Sequence, residues 1–247
     1  MYDTNQFETD LEEFGIVLSE KQLQQFMDYY ELLMEWNSIM NLTKITEFDD
    51  VMKKHFVDSV SLINAIDLTS DSKGSSSQRK KLIDIGTGAG FPGIPLKIVF
   101  PDLEVTLLDS VHKKVKFLDE VIEKLELDKI KAVHGRAEDY AKPDMMREKY
   151  DICASRAVAN LSTLTEYCLP FVRKGGFFVS YKSEKLSEEL ENAKKAIFLL
   201  GGKIEDQIEF TLPSSDIFRN LLVIKKVKET PRKFPRKAGL ASKEPIL

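Results

Sequence analysis

Cysteine is nearly absent. Cys153 and Cys168 are the only two in 247 residues, they lie in apolar stretches, and no metal-ligand spacing joins them. Buried free thiols in a reducing cytoplasm are therefore expected, not a disulfide framework. Three histidines, His55, His112 and His134, are too few for a His-based metal site, and no metal is expected. No apolar run approaches the roughly 18 residues of a membrane helix. The acidic opening Met1-Tyr2-Asp3-Thr4-Asn5 has no signal-peptide apolar segment. A net charge of −4 excludes a chain that grips nucleic acid by bulk charge. No internal repeat is visible. These absences point to a cytoplasmic protein without a membrane partner. A monomer is expected.

What is present suits a globular chain: 43% of residues are hydrophobic and 31% charged, enough for a sizeable core. Charge is unevenly placed. Residues 1–67 hold 14 acids against 4 bases, and residues 228–247 hold 6 bases against 2 acids. Such asymmetry marks either a local patch for an anionic partner or solvated surface.

The most informative stretch runs from Lys81 to Leu96. An apolar run, Leu82-Ile83-Asp84-Ile85, meets four glycines within eight residues, Gly86, Gly88, Gly90 and Gly93, and Pro95 follows in the first turn of a helix. Glycines let the backbone take left-handed conformations and let a ligand approach the main chain. Strand, glycine loop and helix are how an α/β sheet binds a nucleotide-like ligand at the carboxyl end of its first strand.

The remaining periodicity places this motif. Ser19 and Gln22 have capping-box spacing, and Leu23, Phe26, Met27, Tyr30, Leu33 and Met34 form the stripe of an amphipathic helix ending near Trp36-Asn37. A further helix is expected over residues 48–66, with His55 and Ser59 on one side and Asp58 close by. A histidine bonded locally to a carboxylate is the expectation there. Residues 69–80 are polar and Ser-rich and read as a linker. Strands are then expected at 81–85, 104–109, 130–134, 150–154 and 175–181, alternating with helices at 94–100, 112–125, 160–170 and 186–200. Two last strands follow near 203–210 and 217–227. The alternation means a mostly parallel sheet covered on both faces. The short turn at Leu212-Pro213-Ser214-Ser215 requires the last two strands to form an antiparallel hairpin. The chain thus divides into a helical N-terminal extension (1–68), a linker (69–80), a sheet domain (81–228) and a basic tail (229–247).

The glycine loop fits two ligands. Gly88-x-Gly90-x-x-Gly93 matches the dinucleotide fingerprint, and Gly86-x-Gly88-x-Gly90 matches the looser loop used for S-adenosylmethionine. Asp109, 21 residues after Gly88, satisfies both by offering its carboxylate to ribose hydroxyls. Three features favour S-adenosylmethionine. Asp84 would repel a pyrophosphate but suits a sulfonium and an amino group. Glu138, after the third strand, can border an adenine edge. The terminal hairpin departs from the parallel halves of the NAD fold. An NAD-dependent oxidoreductase stays open as the alternative.

Asp84 to Leu96, read as a whole, resembles the first motif of the RsmG (GidB) family, bacterial methyltransferases acting on N7 of a guanine in 16S ribosomal RNA. Trp36-Asn37 with Asn41-Leu42-Thr43 resembles its N-terminal signature. His55, Asp58 and Ser59 resemble its second-helix pattern, with Lys54 where arginine is expected. Leu107-Leu108-Asp109-Ser110, Arg136-Ala137-Glu138 and Ser155-Arg156-Ala157-Val158-Ala159 follow in order. Pro231 to Gly239 resembles the terminal basic motif, with Phe234 at a position often tyrosine.

The resemblance implies a class I S-adenosylmethionine-dependent methyltransferase, Rossmann-like, with 16S ribosomal RNA or the small subunit as partner. It implies cofactor contacts from Gly86, Phe91, Ala137, Glu138 and Arg156, to which the physical reading adds Asp84, Gly88, Gly90 and Asp109. Arg156, just past the fourth strand, could hold the cofactor carboxylate, an RNA phosphate or the guanine edge, or make a salt bridge to Asp151 or Asp84. Guanine N7 is an unprotonated lone pair at neutral pH, so no strong general base is expected. Tyr181 is the candidate aromatic face beside the base, and Lys182 the candidate phosphate contact. Arg232, Lys233, Arg236 and Lys237 are expected to contact RNA from an extended, proline-stiffened tail. A non-catalytic cofactor-binding ribosome-assembly factor is a further alternative.

Overall fold

The computed structural model describes residues 2–69, 79–156, 159–183 and 186–247. Most of the Ser-rich linker lies outside them. Seven strands form one sheet in the order β3-β2-β1-β4-β5-β7-β6. They are β1 (Lys81–Ile85), β2 (Glu104–Asp109), β3 (Ile130–His134), β4 (Tyr150–Arg156), β5 (Val172–Lys182), β6 (Gly202–Thr211) and β7 (Phe218–Lys226). Strands β1 to β5 pair in parallel. Only β7 is reversed, pairing antiparallel with both β5 and β6. The expected hairpin is present, and its second strand slots between β5 and the edge.

Strand β1 shows why the sheet forms. Four of its five residues are buried, flanked by β2 and β4. A central parallel strand is covered on both faces, so it reads as a continuous apolar run rather than an alternation. The same reasoning locates β2, while β3 is an edge strand with no fully buried residue; the bounds of both match the expected ones. Strand β5 begins three residues earlier than expected. Gly175 and Gly176 lie inside it and hid its start.

Helices α1 (Asn5–Glu12) and α2 (Glu20–Met40) precede a helical segment made of α3 (Phe48–Val51), a π-helical stretch (Met52–Val57), α4 (Asp58–Val60) and a 3₁₀ turn (Ser61–Asn64). The capping box is realised: Ser19 N–H donates to Gln22 Oε1 at 2.9 Å, and Gln22 N–H to Ser19 Oγ at 3.3 Å. Gln22 also donates through Nε2 to the Ile98 carbonyl at 2.8 Å, so the cap ties α2 to α5 (Gly93–Val99), the helix after the glycine loop. Helix α2 runs to Met40 and ends on Asn41 in the left-handed conformation, past the expected end. The expected helix over 48–66 is not continuous. Its π-helical stretch holds His55, and α4 opens with Asp58; such wide turns recur at functional sites.

The N-terminal helices share one core with the sheet. Phe26 and Phe56 are fully buried with ring centroids 5.1 Å apart. Tyr29 stacks on Phe56 at 5.2 Å and meets Phe91 at 5.6 Å. Aromatic pairs of this kind add about 0.5–1.5 kcal/mol each beyond area burial. The stack ends on Phe91, in the glycine loop, so the extension braces the loop from behind.

Helix α6 (His112–Lys124) packs on that same face, where Trp36 meets Phe117 at 5.8 Å. The other face is covered by α7 (Ala137–Tyr140), α8 (Leu161–Cys168) with a 3₁₀ turn (Leu169–Phe171), α9 (Ser187–Leu199) and α10 (Leu240–Lys243) among the described elements. Cys153 and Cys168 are buried and free, as expected, and burial pushes the Cys153 thiol up. No described helix is long and apolar enough to cross a membrane.

Candidate functional site

The glycine loop sits at the carboxyl end of β1, and its backbone needs glycine. Gly86, Gly88 and Gly90 have φ of 69°, 63° and 99°. At Gly93 the constraint is space: an added Cβ would lie 2.3 Å from Leu107 Cδ2 and 3.1 Å from Asp84 Oδ2.

Two acids hold this loop. Asp84 is fully buried, and its Oδ2 accepts from Thr87 Oγ1 at 2.7 Å and from Gly93 N–H at 2.9 Å. Burial raises its pKa to about 6, against the lowering effect of those two hydrogen bonds. Asp84 is thus foremost a clamp on the loop, not an exposed ligand. Its Oδ1 is buried without a hydrogen-bond partner among the described residues. Asp109, 5% exposed, accepts from Gly88 N–H on Oδ2 at 2.9 Å and from Val111 N–H on Oδ1 at 2.8 Å. Each oxygen keeps a second lone pair for a hydroxyl.

Glu138 and Ala137 follow β3 on α7. With Gly86, Leu108 and Tyr167 they help to line a cavity of about 130 Å³ at the ends of β1, β2 and β3. Glu138 accepts the Gly239 N–H on Oε1 at 2.8 Å.

Across β1 the character changes. Arg156, at the end of β4, places its guanidinium carbon 5.0 Å from the Phe91 ring centre. Its NH1 donates to Asp58 Oδ2 at 2.9 Å and to the Lys54 carbonyl at 3.2 Å. Its expected partners Asp151 and Asp84 are not the ones it takes. Arg219, the second residue of β7, donates to Asp58 Oδ1 at 2.7 Å. Asp58 therefore carries two arginines brought from strands of opposite direction, and all three side chains are at most 15% exposed. Arg156, Arg219, Lys54, Lys182, His55 and Tyr181 border a cavity of about 290 Å³.

His55 departs from expectation. It does not bond Asp58. Its Nδ1 accepts from Arg156 NH2 at 3.2 Å, its Nε2 meets Thr43 Oγ1 at 2.8 Å, and its ring stacks on Phe91 at 4.6 Å. Burial, and then the Arg156 charge, lower its pKa to about 3, so it is neutral. The cause of the departure is the π-helical turn, which sends His55 and Asp58 to different groups of the same arginine.

Three expected substrate contacts already have partners within the chain. Tyr181 is 3% exposed and donates its hydroxyl to the Ser59 carbonyl at 2.6 Å, so it is wall rather than a free stacking face. Arg236 is bound to Glu166, as described below, and the tail around it is turned and docked rather than extended. Lys182 borders the second cavity but pairs with Glu189 at 2.6 Å. Arg232, Lys233 and Lys237 are exposed. Sequence reasoning missed Arg219. Its signal was an arginine just before the apolar run Leu221-Leu222-Val223-Ile224.

Sheet order, the single reversed strand and the loop at the end of β1 define a class I methyltransferase fold. The reversal of β7 removes the basis of the dinucleotide reading. A chain in the solved complex of the Haloferax volcanii Trm112 methyltransferase activator with a methyltransferase superposes with a TM-score of 0.56, covering 79% of this chain and 98% of that one at 11% identity. The chain belongs to the GidB family, described as rRNA small subunit methyltransferase G, whose model matches residues 22–216. Relatives named ribosomal RNA small subunit methyltransferase G include one from Lachnoclostridium phytofermentans, 52% identical over all of this chain and 99% of its own. Another, from Acetivibrio thermocellus, is 52% identical over 94% and 92%.

Proposed function

We propose that this chain transfers a methyl group from S-adenosylmethionine to N7 of a guanine in 16S ribosomal RNA. The observation that carries the reading is the charge order along one sheet edge. Acids stand at the end of β2, Asp109, and on α7 just after β3, Glu138. Bases stand at the end of β4, the end of β5 and the start of β7, namely Arg156, Lys182 and Arg219. A cationic, ribose-bearing cofactor suits the first half, and a polyanionic substrate suits the second.

The residues present fit the cofactor. Asp109 retains acceptor capacity for ribose, Glu138 borders the purine cavity, and the buried Asp84 Oδ1, without a partner among the described residues, suits a positive or N–H-bearing group nearby. Gly86, Gly88 and Ala137 leave room for close backbone approach, whereas Gly90 is packed against Ile94 and Tyr29. Bound there, S-adenosylmethionine supplies an electrophilic methyl group on a sulfonium.

The chain's own work is positioning. Guanine N7 needs no deprotonation, and His55 is neutral with both ring nitrogens engaged, so it is not assigned a proton-transfer role. Arg156, braced by Asp58 and laid against Phe91, orients the base or its phosphate. Fixing two reactants in line supplies roughly 7–11 kcal/mol of the barrier. Lys54, Lys182 and Arg219 hold phosphate, and exposed Arg232, Lys233 and Lys237 extend the basic surface.

Incubation with S-adenosylmethionine carrying a tritiated methyl, and either small subunits or naked 16S RNA, tests this. Label in RNA supports transfer. Cofactor and RNA binding without label would favour the non-catalytic assembly factor. The same assay on both substrates shows which one is used.

A further inference from the structure

The basic tail beyond β7 is docked, and its anchor is an ion pair. Arg236 donates from its backbone N–H to Glu166 Oε1 at 2.7 Å, from Nε to both carboxylate oxygens at 3.0 Å, and from NH2 to Oε2 at 2.7 Å. Glu166 lies on α8 and is 1% exposed. A buried carboxylate is tolerable only with such pairing, so the tail is required by the core as well as held by it. Further ties run along the segment. Arg147 donates to the Phe234 carbonyl at 2.7 Å, Thr163 Oγ1 to the Ala241 carbonyl at 3.0 Å and Ser162 Oγ to the Ile246 carbonyl at 2.5 Å. Phe234 is buried in the core on that side of the sheet.

Between these anchors Gly239, at φ 83°, gives its N–H to Glu138 Oε1. Tyr167, the residue next to Glu166, borders the same cavity as Glu138. The tail thus reaches the purine-side acid by two routes, directly through Gly239 and through α8.

We propose that residues 229–247 complete the cofactor site: the Arg236–Glu166 pair latches the tail onto α8, and the latched tail presents Gly239 N–H to Glu138, fixing that carboxylate before S-adenosylmethionine arrives. This rests on the reading that Glu138 holds the cofactor. Arg236 and Glu166 are positioning residues. Fixing a binding group in advance removes the cost of ordering it on binding. The segment lies beyond the span of the family model, which ends at residue 216.

The test uses the full-length protein and calorimetric titration with S-adenosylhomocysteine. Glu138→Gln is the control for the underlying reading and weakens binding. Arg236→Ala weakens binding about tenfold, the loss of roughly one charge-assisted hydrogen bond. It raises KM for S-adenosylmethionine to match, with kcat changed less than twofold. The swap Arg236→Glu with Glu166→Arg recovers most of the affinity, and Arg236→Lys recovers part of it, which a general loss of folding would not allow. Unchanged affinity in Arg236→Ala with weakened affinity in Glu138→Gln overturns the latch and leaves the cofactor reading standing. Unchanged affinity in Glu138→Gln overturns both. Loss of RNA affinity in Arg236→Ala with intact cofactor affinity also overturns the latch, and returns Arg236 to the RNA surface.

Discussion

The guanidinium of Arg156 lies 5.0 Å from the centre of the Phe91 ring. The arginine comes from the fourth strand and the ring from the loop after the first, so this contact joins the two halves of the sheet edge. Asp58, beneath, fixes the arginine's direction through a bond of 2.9 Å.

Arg156→Ala is expected to lower kcat/KM for methyl transfer by about 1.5–3 kcal/mol, a loss of about 10- to 150-fold, because a charged hydrogen-bonding group is removed and Asp58 keeps only Arg219. Arg156→Lys recovers little, since an ammonium cannot reproduce the fork to Asp58 and His55. Steady-state transfer of labelled methyl decides this. A fully active lysine variant would contradict the geometric role.

Asp109→Ala removes acceptors for both Gly88 N–H and Val111 N–H. Leaving those donors unmet destabilises the fold by on the order of 1–3 kcal/mol, and S-adenosylhomocysteine affinity falls at least tenfold if the carboxylate also meets ribose. Chemical denaturation and calorimetry separate the two effects. Lost stability with unchanged affinity would reduce Asp109 to a loop tie.

Gly93→Ala puts a methyl 2.3 Å from Leu107 Cδ2, in a core that has no slack. Overpacking of this kind costs about 1–3 kcal/mol, and the displaced loop weakens cofactor binding. A variant with wild-type melting and affinity would show that α5 can shift freely.

His55 gives a pH signature. Its folded pKa of about 3 lies below the unfolded 6.5, so the unfolded chain binds the extra proton between those values. The neutral-His contribution is present above pH 6.5 and is lost as pH falls toward 3. Lys54, Asp58, Arg156 and Thr43 face the ring or its helix. Asp84 acts oppositely: its folded pKa of about 6 exceeds the unfolded 3.8, so stability falls as pH rises through 3.8–6. Denaturation of wild type and His55→Gln from pH 4 to 7 isolates the first effect. Wild-type stability should rise with pH relative to that of the variant, whose curve keeps the falling Asp84 contribution, and parallel curves would contradict the assignment.

Much of the sheet was legible because β1 and β2 are largely apolar runs bounded by turn residues, and the loop glycines and Asp109 announce themselves by spacing. The remainder depends on tertiary partners. Nothing in sequence joins Asp58 to Arg219, 161 positions away, or Arg236 to Glu166, 70 positions away. A basic tail has the same composition whether it awaits RNA or lies paired on a helix. The wide turn at Met52–Val57 left the apolar stripe nearly unchanged while redirecting His55, so periodicity alone pointed to a plain helix.

Mapping of N7-methylguanine in 16S RNA from cells with and without this protein tests the central claim most directly. Loss of the modification at a single guanine, restored by the wild-type chain and not by Arg156→Ala, is the predicted result. An unchanged N7-methylguanine profile in cells lacking the protein would contradict it.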